Sequence, residues 1–232
     1  MRVLVLRPEF DSKQTAKLLQ KRGHKAIVAP ITEIEPQSYI FNVLPDLTAI
    51  IATSANAFRC LADSFPIIHK ALPCLTVGTN TADAAKKAGF TETRSGYSNA
   101  VSLAEIIGAT FPIGSKFLYI TGRPRKPELE NTLKKLGYTL QICETYKAKT
   151  VMQLPQAAVD AFNIGVDVVL HFSRHSAKSA VMLFEQAGLM KQAQQVNHIC
   201  LSKDVAEALH AFSHIRIAAK PEQAAMLDLL NP

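Results

Sequence analysis

The residues best suited to chemistry lie in short polar turns, each of which follows an apolar stretch. A turn between a strand and a helix exposes backbone N–H groups, and the helix dipole adds positive potential, so each turn is a candidate anion site. Six turns have this form: Arg7-Pro8, Ser54-Ala55-Asn56, Gly78-Thr79-Asn80-Thr81, Gly122-Arg123-Pro124-Arg125, Ser173-Arg174-His175-Ser176 and Ser202-Lys203-Asp204. In any single turn the polar side chain could simply cap a helix. Because several turns also carry Arg or Lys, the set as a whole favours anion binding.

Familiar catalytic motifs do not occur in the sequence. It contains no P-loop, no G-x-G-x-x-G and no G-x-S-x-G elbow. His171 and His175 straddle a predicted strand end, and His210 and His214 lie near a helix end, so neither pair is typical of metal ligands. We therefore expect no metal and no cofactor. The pattern favours a site that acts by preorganised electrostatics on a substrate with its own reactivity.

Composition narrows the class of partner. The net charge of +7 and a pI of about 9.3 favour an anionic partner, either a nucleic acid or a metabolite. No apolar run reaches the roughly 18 residues of a membrane span, and the protein is expected to be cytoplasmic. The four cysteines are scattered and are expected to be reduced core residues.

The elements that position these turns come from an internal repeat. Residues 3–30 and 117–144 align without a gap, and each copy contains a strand, a turn, an amphipathic helix, a helix-ending glycine and a second strand. Residues 48–107 resemble residues 167–230 in the same way, so the order is A–B–A′–B′. Alternation of short strands with helices predicts an α/β fold of two lobes, with parallel sheets flanked by helices. In such sheets ligands bind beyond the carboxyl ends of the strands, where the six turns lie.

Two segments separate the repeated units. Residues 31–36 and 145–150 alternate apolar and polar side chains, which predicts exposed extended strands that connect the lobes. Whether each lobe contains A with B or an exchanged pair is left open by these patterns.

The sequence resembles the uroporphyrinogen-III synthase family over nearly all of its length. The matching stretches are the opening LVLRP, the TSANAF turn, VGTNTADAAKKAGF, ITGRPRKPELENTLKKLGY followed by ETYKA, and LHFSRHSA with ICLSKDVAEAL. Their order and spacing carry the resemblance together, and the GRPRKPEL turn is similar to alphaproteobacterial members.

The resemblance implies an interleaved chain. Residues 1–32 and 150–232 would form lobe 1 and residues 37–144 lobe 2, with residues 31–36 and 145–150 as a two-stranded hinge. It also implies a lyase of porphyrin and heme biosynthesis that uses no cofactor. The enzyme would close hydroxymethylbilane, a linear tetrapyrrole octacarboxylate, to uroporphyrinogen III with loss of water and inversion of the last pyrrole ring through a spiro intermediate.

The resemblance also implies roles for single residues. Tyr146 matches a family tyrosine proposed to help the hydroxyl group leave, and Thr81 matches a family threonine. The chain departs from the family at Ser202 and Val205, where Gly and Thr are usual, so the threonine contact of the family is missing there. The expected substrate-binding residues are Arg7, Ser54, Ala55, Asn56, Thr81, Gly122, Arg123, Ser173, Arg174 and Ser202.

The sequence also leads to expectations about partners and to two alternative functions. We expect a monomer that binds a small-molecule substrate, contacts the preceding enzyme of the pathway transiently, and binds neither nucleic acid nor membrane. One alternative is a non-enzymatic two-lobed binder of an anionic metabolite. A nucleic-acid-binding protein is the other, but it would need a contiguous basic stripe or stacking aromatics, whereas the five tyrosines are scattered.

Overall fold

A computed structural model describes residues 1–39, 45–97 and 99–230 of the chain. The chain forms two compact units, one of Met1–Glu33 with Lys149–Pro232 and one of Ile34–Ala148. It therefore leaves the first unit once and returns to it once. The hinge role expected for residues 31–36 and 145–150 stays a prediction.

Short strands and helices alternate along the chain. The strands are β1 (Arg2–Val5), β2 (Lys25–Val28), β3 (Thr32–Pro36), β4 (Ala49–Ala52), β5 (Cys74–Val77), β6 (Thr93–Tyr97), β7 (Lys116–Arg123), β8 (Thr139–Thr150), β9 (Val168–His171), β10 (Asn197–Cys200) and β11 (Ile215–Ile217). The helices are α1 (Glu9–Lys21), α2 (Ala55–Arg59), α3 (Ile67–Lys70), α4 (Thr79–Lys87), α5 (Ala100–Thr110), α6 (Glu128–Lys135), α7 (Gln156–Ile164), α8 (Arg174–Gln186), α9 (Met190–Gln194), α10 (Lys203–Ala206) and α11 (Gln223–Asp228), with a 3₁₀ turn at Glu207–Leu209.

The sheet of the first unit combines strands from both ends of the chain. Its order is β11-β10-β9-β1-β2, and all neighbouring strands are parallel. Alternate residues of β1 enter different apolar clusters, Leu4 on one face and Val3 and Val5 on the other. Because helices cover both faces, the buried stretches 3–5 of β1 and 168–170 of β9 are apolar without alternation.

The sheet of the second unit has the order β3-β8-β7-β4-β5-β6, and its pairs from β8 to β6 are parallel. β3 runs the other way. The N–H of Gln37 donates to the carbonyl of Thr145 at 2.8 Å, and the N–H of Val151 donates to the carbonyl of Ile31 at 3.1 Å. As the residue numbers rise on one strand they fall on the other, which is the pattern of an antiparallel pair.

The predicted repeat and fold class are confirmed. Both copies contain a strand, a helix and a second strand, over β1-α1-β2 and β7-α6-β8. The helix-ending glycines Gly23 and Gly137 have φ angles of 76° and 82°. The helical spacing predicts that Leu129, Leu133 and Leu136 pack against the sheet. Leu129 and Leu133 of α6 are buried there, whereas Leu136, just beyond the end of the helix, is 41% exposed.

The cysteines and the helices agree with the expectations from composition. Cys74, Cys143 and Cys200 are buried thiols, and Cys60 is a half-buried one. Burial raises the pKa of the three buried thiols to about 12, so they are unreactive core groups. Within the described parts of the chain, no helix combines the length and the apolar character that crossing a membrane requires.

Candidate active site

In the second unit, the predicted site residues lie at one edge of the sheet. β7, β4 and β5 are adjacent and parallel, so the segments that follow their carboxyl ends meet. Ser54 caps α2, where its Oγ accepts a hydrogen bond from the N–H of Asn56 at 3.3 Å. Thr81 is buried in the first turn of α4, with 5% of its surface exposed. The residues at this edge are Ser54, Ala55, Asn56, Thr81, Gly122 and Arg123.

The ring of Tyr146 lies directly on Gly122. The two residues are register partners in β8 and β7. A Cβ atom on Gly122 would lie 2.3 Å from Cζ of the tyrosine and 2.5 Å from each Cε. Real Cβ atoms do not approach a ring so closely, so only glycine leaves room for this ring position. Gly122, expected as a backbone donor, thus also forms the floor under Tyr146.

A β-bulge precedes Tyr146. Thr121 of β7 pairs with Glu144, whereas the next residue, Gly122, pairs with Tyr146. Thr145 is therefore an extra residue in β8. Such a bulge bends its strand and redirects the following side chains, so it sets the register that brings Tyr146 over Gly122.

Two arginines share one carboxylate beside Tyr146. Glu144 forms ion pairs with both Arg123 and Arg125, and Nε of Arg125 also donates to Glu130 at 2.5 Å. The hydrogen bond from Arg123, together with Arg125, holds the pKa of Glu144 below its usual range. The side chain of Arg123 is 69% exposed and that of Arg125 is 23% exposed. Arg125 is thus a fixed partner of Glu144, and Arg123 is the more accessible cation.

A cavity of about 570 Å³ brings this cluster together with other polar groups. Of the predicted site residues, Tyr146 and Arg123 line it, whereas Ser54, Ala55, Asn56 and Thr81 lie elsewhere on the edge. Its polar walls are formed by Gln37, Ser38, Tyr39, Arg123, Arg125, Gln141, Glu144, Tyr146 and Lys147. The cavity therefore places a phenol among basic groups, an arrangement suited to an anionic molecule with a leaving group.

In the first unit, the remaining predicted residues also share a sheet edge. Arg7 follows β1, Ser173 and Arg174 follow β9, and Ser202 follows β10, and these three strands are adjacent and parallel. Oγ of Ser173 accepts a hydrogen bond from the N–H of Ser176 at 3.2 Å and so caps α8. Ser202 precedes the four-residue helix α10, but its side chain caps no N–H group among the described residues.

The two arginines of this edge are held by neighbouring side chains. Arg7 lies over the ring of Phe172, 4.1 Å from its centroid, and Nη1 donates to Gln223 at 3.1 Å. Nη1 of Arg174 donates to Asp204 at 3.1 Å and to Glu207 at 2.9 Å. A substrate carboxylate at Arg174 would therefore compete with two carboxylates of the protein.

Comparison with known proteins identifies the family. Residues 13–228 match the model of the family described as uroporphyrinogen-III synthase HemD. The chain belongs to the uroporphyrinogen-III synthase family. The family comprises cyclising lyases of tetrapyrrole biosynthesis, as the resemblance implies. By sequence, no protein of curated function matches the chain significantly.

Solved structures of uroporphyrinogen-III synthases share the fold. The synthase from Helicobacter pylori is 18% identical over 99% of this chain and 98% of its own, with a TM-score of 0.66. A mutant synthase from Thermus thermophilus is 18% identical over 99% of this chain and 97% of its own, with a TM-score of 0.56. At this identity the likeness shows the two-lobed α/β fold.

Some residues of this candidate site were not predicted. The bulge interrupts the strand alternation between Glu144 and Tyr146, so alternation along β8 gives no signal for Glu144. Arg125 stands in the basic turn, but its pairing with Glu144 depends on the pairing of β7 with β8. The bulge at Thr145 leaves no mark in the sequence.

Over residues 1–39, 45–97 and 99–230, no three His, Cys, Asp or Glu side chains are arranged to hold a metal ion.

Proposed function

We propose that this chain closes hydroxymethylbilane to uroporphyrinogen III, with Tyr146 as its main catalytic side chain. The assignment of this reaction rests on the match of residues 13–228 to the family model. The placement of Tyr146 on Gly122, beside Arg123, supports the assignment of the catalytic group.

The substrate supplies most of the chemical driving force. Its electron-rich pyrroles expel the terminal hydroxyl group, which leaves as water once it gains a proton, and a cationic azafulvene remains. The last pyrrole ring attacks this cation through its substituted carbon and forms a spiro intermediate. Reopening and reclosure invert the ring, and a proton is released when the macrocycle closes. The protein must favour the spiro route over direct closure, which is a task of positioning.

Tyr146 assists the first step in this proposal. Its phenol O–H donates to the departing hydroxyl group as general-acid help. The ring position is defined by its contact with Gly122, so the donor is preorganised before the substrate binds. A phenol fixed in this way adds little ordering cost in the transition state.

Substrate carboxylates meet the basic groups around the tyrosine. Arg123 and Lys147 are register partners next to Gly122 and Tyr146, and both side chains are exposed. Arg125 keeps Glu144 in place, so Arg123 can exchange its protein partner for a substrate carboxylate. The other proposed contacts come from the sheet-edge turns, through Arg7, Ser54, Ala55, Asn56, Thr81, Gly122, Ser173, Arg174 and Ser202.

We also propose that the specific substrate is the linear tetrapyrrole octacarboxylate. The monomeric state, the transient contact with the preceding enzyme and the cytoplasmic location stay predictions. No comparison favours the non-enzymatic binder, and the family match favours the enzyme.

Turnover separates the enzyme from the binder. Purified protein is mixed with an excess of freshly made hydroxymethylbilane, and consumption is followed against the spontaneous reaction. A synthase converts many equivalents of hydroxymethylbilane, and it does so faster than the spontaneous reaction. Saturable binding with no acceleration would instead identify a binder of anionic metabolites.

A further inference from the structure

We propose that Thr145 is a positioning residue, whose buried hydroxyl holds Tyr146 in its catalytic place. The inference rests on the role proposed above for Tyr146. Thr145 is the extra residue of the bulge in β8, between Glu144 opposite Thr121 and Tyr146 opposite Gly122. Its side chain is fully buried, whereas Tyr146 is half-buried and lines the cavity.

The hydroxyl of Thr145 ties β8 to two other elements. Oγ1 donates to the carbonyl of Ala57 at 2.9 Å, and the carbonyl of Thr121 lies 3.4 Å away. Ala57 belongs to α2, directly after the turn that begins at Ser54. Thr121 precedes Gly122, the floor of the tyrosine ring. One hydroxyl therefore connects the helix and the strand on which the second-unit site is built.

The backbone of the bulge is held from a third side. The carbonyl of Thr145 accepts a hydrogen bond from the N–H of Gln37 at 2.8 Å. A bulge lacks regular ladder bonds, so these side-chain and backbone bonds define the path of the chain into Tyr146. Loss of the hydroxyl would leave the carbonyl of Ala57 buried without this donor, and the bulge would relax toward another arrangement. A shift of about 1 Å in a catalytic group can lower turnover by orders of magnitude.

A matched series of variants separates positioning from stability. Thr145→Val keeps the shape and removes the hydroxyl, and Thr145→Ser keeps the hydroxyl. Thr76 serves as the control, because it is a fully buried threonine in the same sheet whose Oγ1 donates to the carbonyl of Arg94 at 3.3 Å. We expect Thr145→Val to lower kcat about tenfold with little change in KM. Thr145→Ser restores kcat, and Thr76→Val lowers the Tm but not kcat.

A double-mutant cycle tests whether Thr145 acts through Tyr146. In the Tyr146→Phe background, Thr145→Val should cause no further loss of kcat, because the positioned hydroxyl is already gone. An additive loss, or a lower Tm with unchanged kcat, overturns the inference while the role of Tyr146 stands. Unchanged kcat in Tyr146→Phe alone overturns that role, and the inference with it.

A further variant keeps the test open if Thr145→Val does not fold. Thr145→Cys retains the volume, and its thiol is only a weak donor. The expected kcat lies between those of the wild type and Tyr146→Phe. A kcat equal to that of the wild type contradicts positioning by the hydroxyl.

Discussion

Gly122 and Tyr146 face each other across β7 and β8, and the tyrosine ring occupies the space that a Cβ on Gly122 would need. The constraint on Gly122 is one of space. A methyl group there would occupy the volume of the tyrosine ring. The ring position of Tyr146 therefore depends on a neighbour that has no side chain.

Removing the phenol oxygen tests the role of Tyr146. We expect Tyr146→Phe to lower kcat several-fold to about a hundredfold, because a preorganised donor is lost. The Tm should stay near that of the wild type, since the ring still covers Gly122. Steady-state kinetics and thermal unfolding measure both values. A wild-type kcat in this variant would assign the tyrosine a structural role alone.

Adding a methyl group at Gly122 should displace the ring. We expect Gly122→Ala to lower kcat at least as much as Tyr146→Phe and to lower the free energy of unfolding by roughly 1–3 kcal/mol, because the site is overpacked. Gly108→Ala is the control. Gly108 lies in α5, and a Cβ there would be 3.6 Å from Cδ1 of Leu136, which is an ordinary van der Waals contact. That variant should keep kcat and gain a few tenths to about 1 kcal/mol of stability from helix propensity. Equal kinetics in the two variants would argue against the packing account.

At the scale of elements, the duplicated turns after β5 and β10 have diverged. Thr81 lies in the first turn of α4, and Val205 occupies the corresponding place in the short helix α10. Val205 is 3% exposed and belongs to the apolar core of the first unit. Thr81 is buried to nearly the same extent, at 5% exposed, so the two positions differ in that only the threonine carries a hydroxyl group.

Alanine substitutions at the two positions should have different effects. We expect Thr81→Ala to lower kcat/KM by a larger factor than Val205→Ala does. Val205→Ala should instead lower the free energy of unfolding by about 2 kcal/mol, because it opens a small cavity. Kinetics and urea unfolding of both variants compare the two effects. A greater loss of kcat/KM in Val205→Ala would reverse the assignment.

The sequence predicted the elements better than it predicted the contacts among them. Apolar stretches, helical spacing and the glycines at 23 and 137 were enough to place both β-α-β copies, because these signals are local. The bulge at Thr145 and the sharing of Glu144 by two arginines depend on strand register, which joins distant parts of the chain. Local patterns carry no information on that register. The family resemblance therefore gave Tyr146 and the basic turn gave Arg123 as candidates, but neither gave the contacts that hold these side chains.

At the scale of the whole molecule, folding of the first unit buries two neighbouring histidines. Nε2 of His198 lies 2.9 Å from the carbonyl of Ala193, which only accepts, so this nitrogen carries the proton. Nδ1 of His198 then accepts from Nε2 of His171 at 2.9 Å. The remaining nitrogen of His171 is buried and has no partner among the described residues. Both rings are therefore neutral, and burial lowers the pKa of each.

This pair predicts a loss of stability in mild acid. Unfolded histidines bind a proton near pH 6.5, whereas the folded pair does so only at lower pH. Below about pH 6.5 the unfolded state binds more protons, so the free energy of unfolding should fall by up to about 1.4 kcal/mol per pH unit for each histidine. Urea unfolding at a series of pH values from about 7.5 to about 5.5 measures this slope. The range covers roughly one pH unit on either side of the ordinary histidine pKa.

Two variants assign the slope to the pair. His171→Leu/His198→Leu should flatten the pH dependence, since both partners are replaced by apolar groups. His210→Gln, at an exposed histidine, should keep the wild-type slope. A double variant with an unchanged slope would place the titrating groups elsewhere.

The isomer of the product tests the central claim most directly. Hydroxymethylbilane closes spontaneously to uroporphyrinogen I, and only a synthase that inverts the last ring yields the type III isomer. Purified protein is incubated with hydroxymethylbilane, and the isomers are separated after oxidation to the porphyrins. We predict type III as the main product with the wild-type chain and type I in its absence. Type I alone in the presence of folded protein would contradict the assignment.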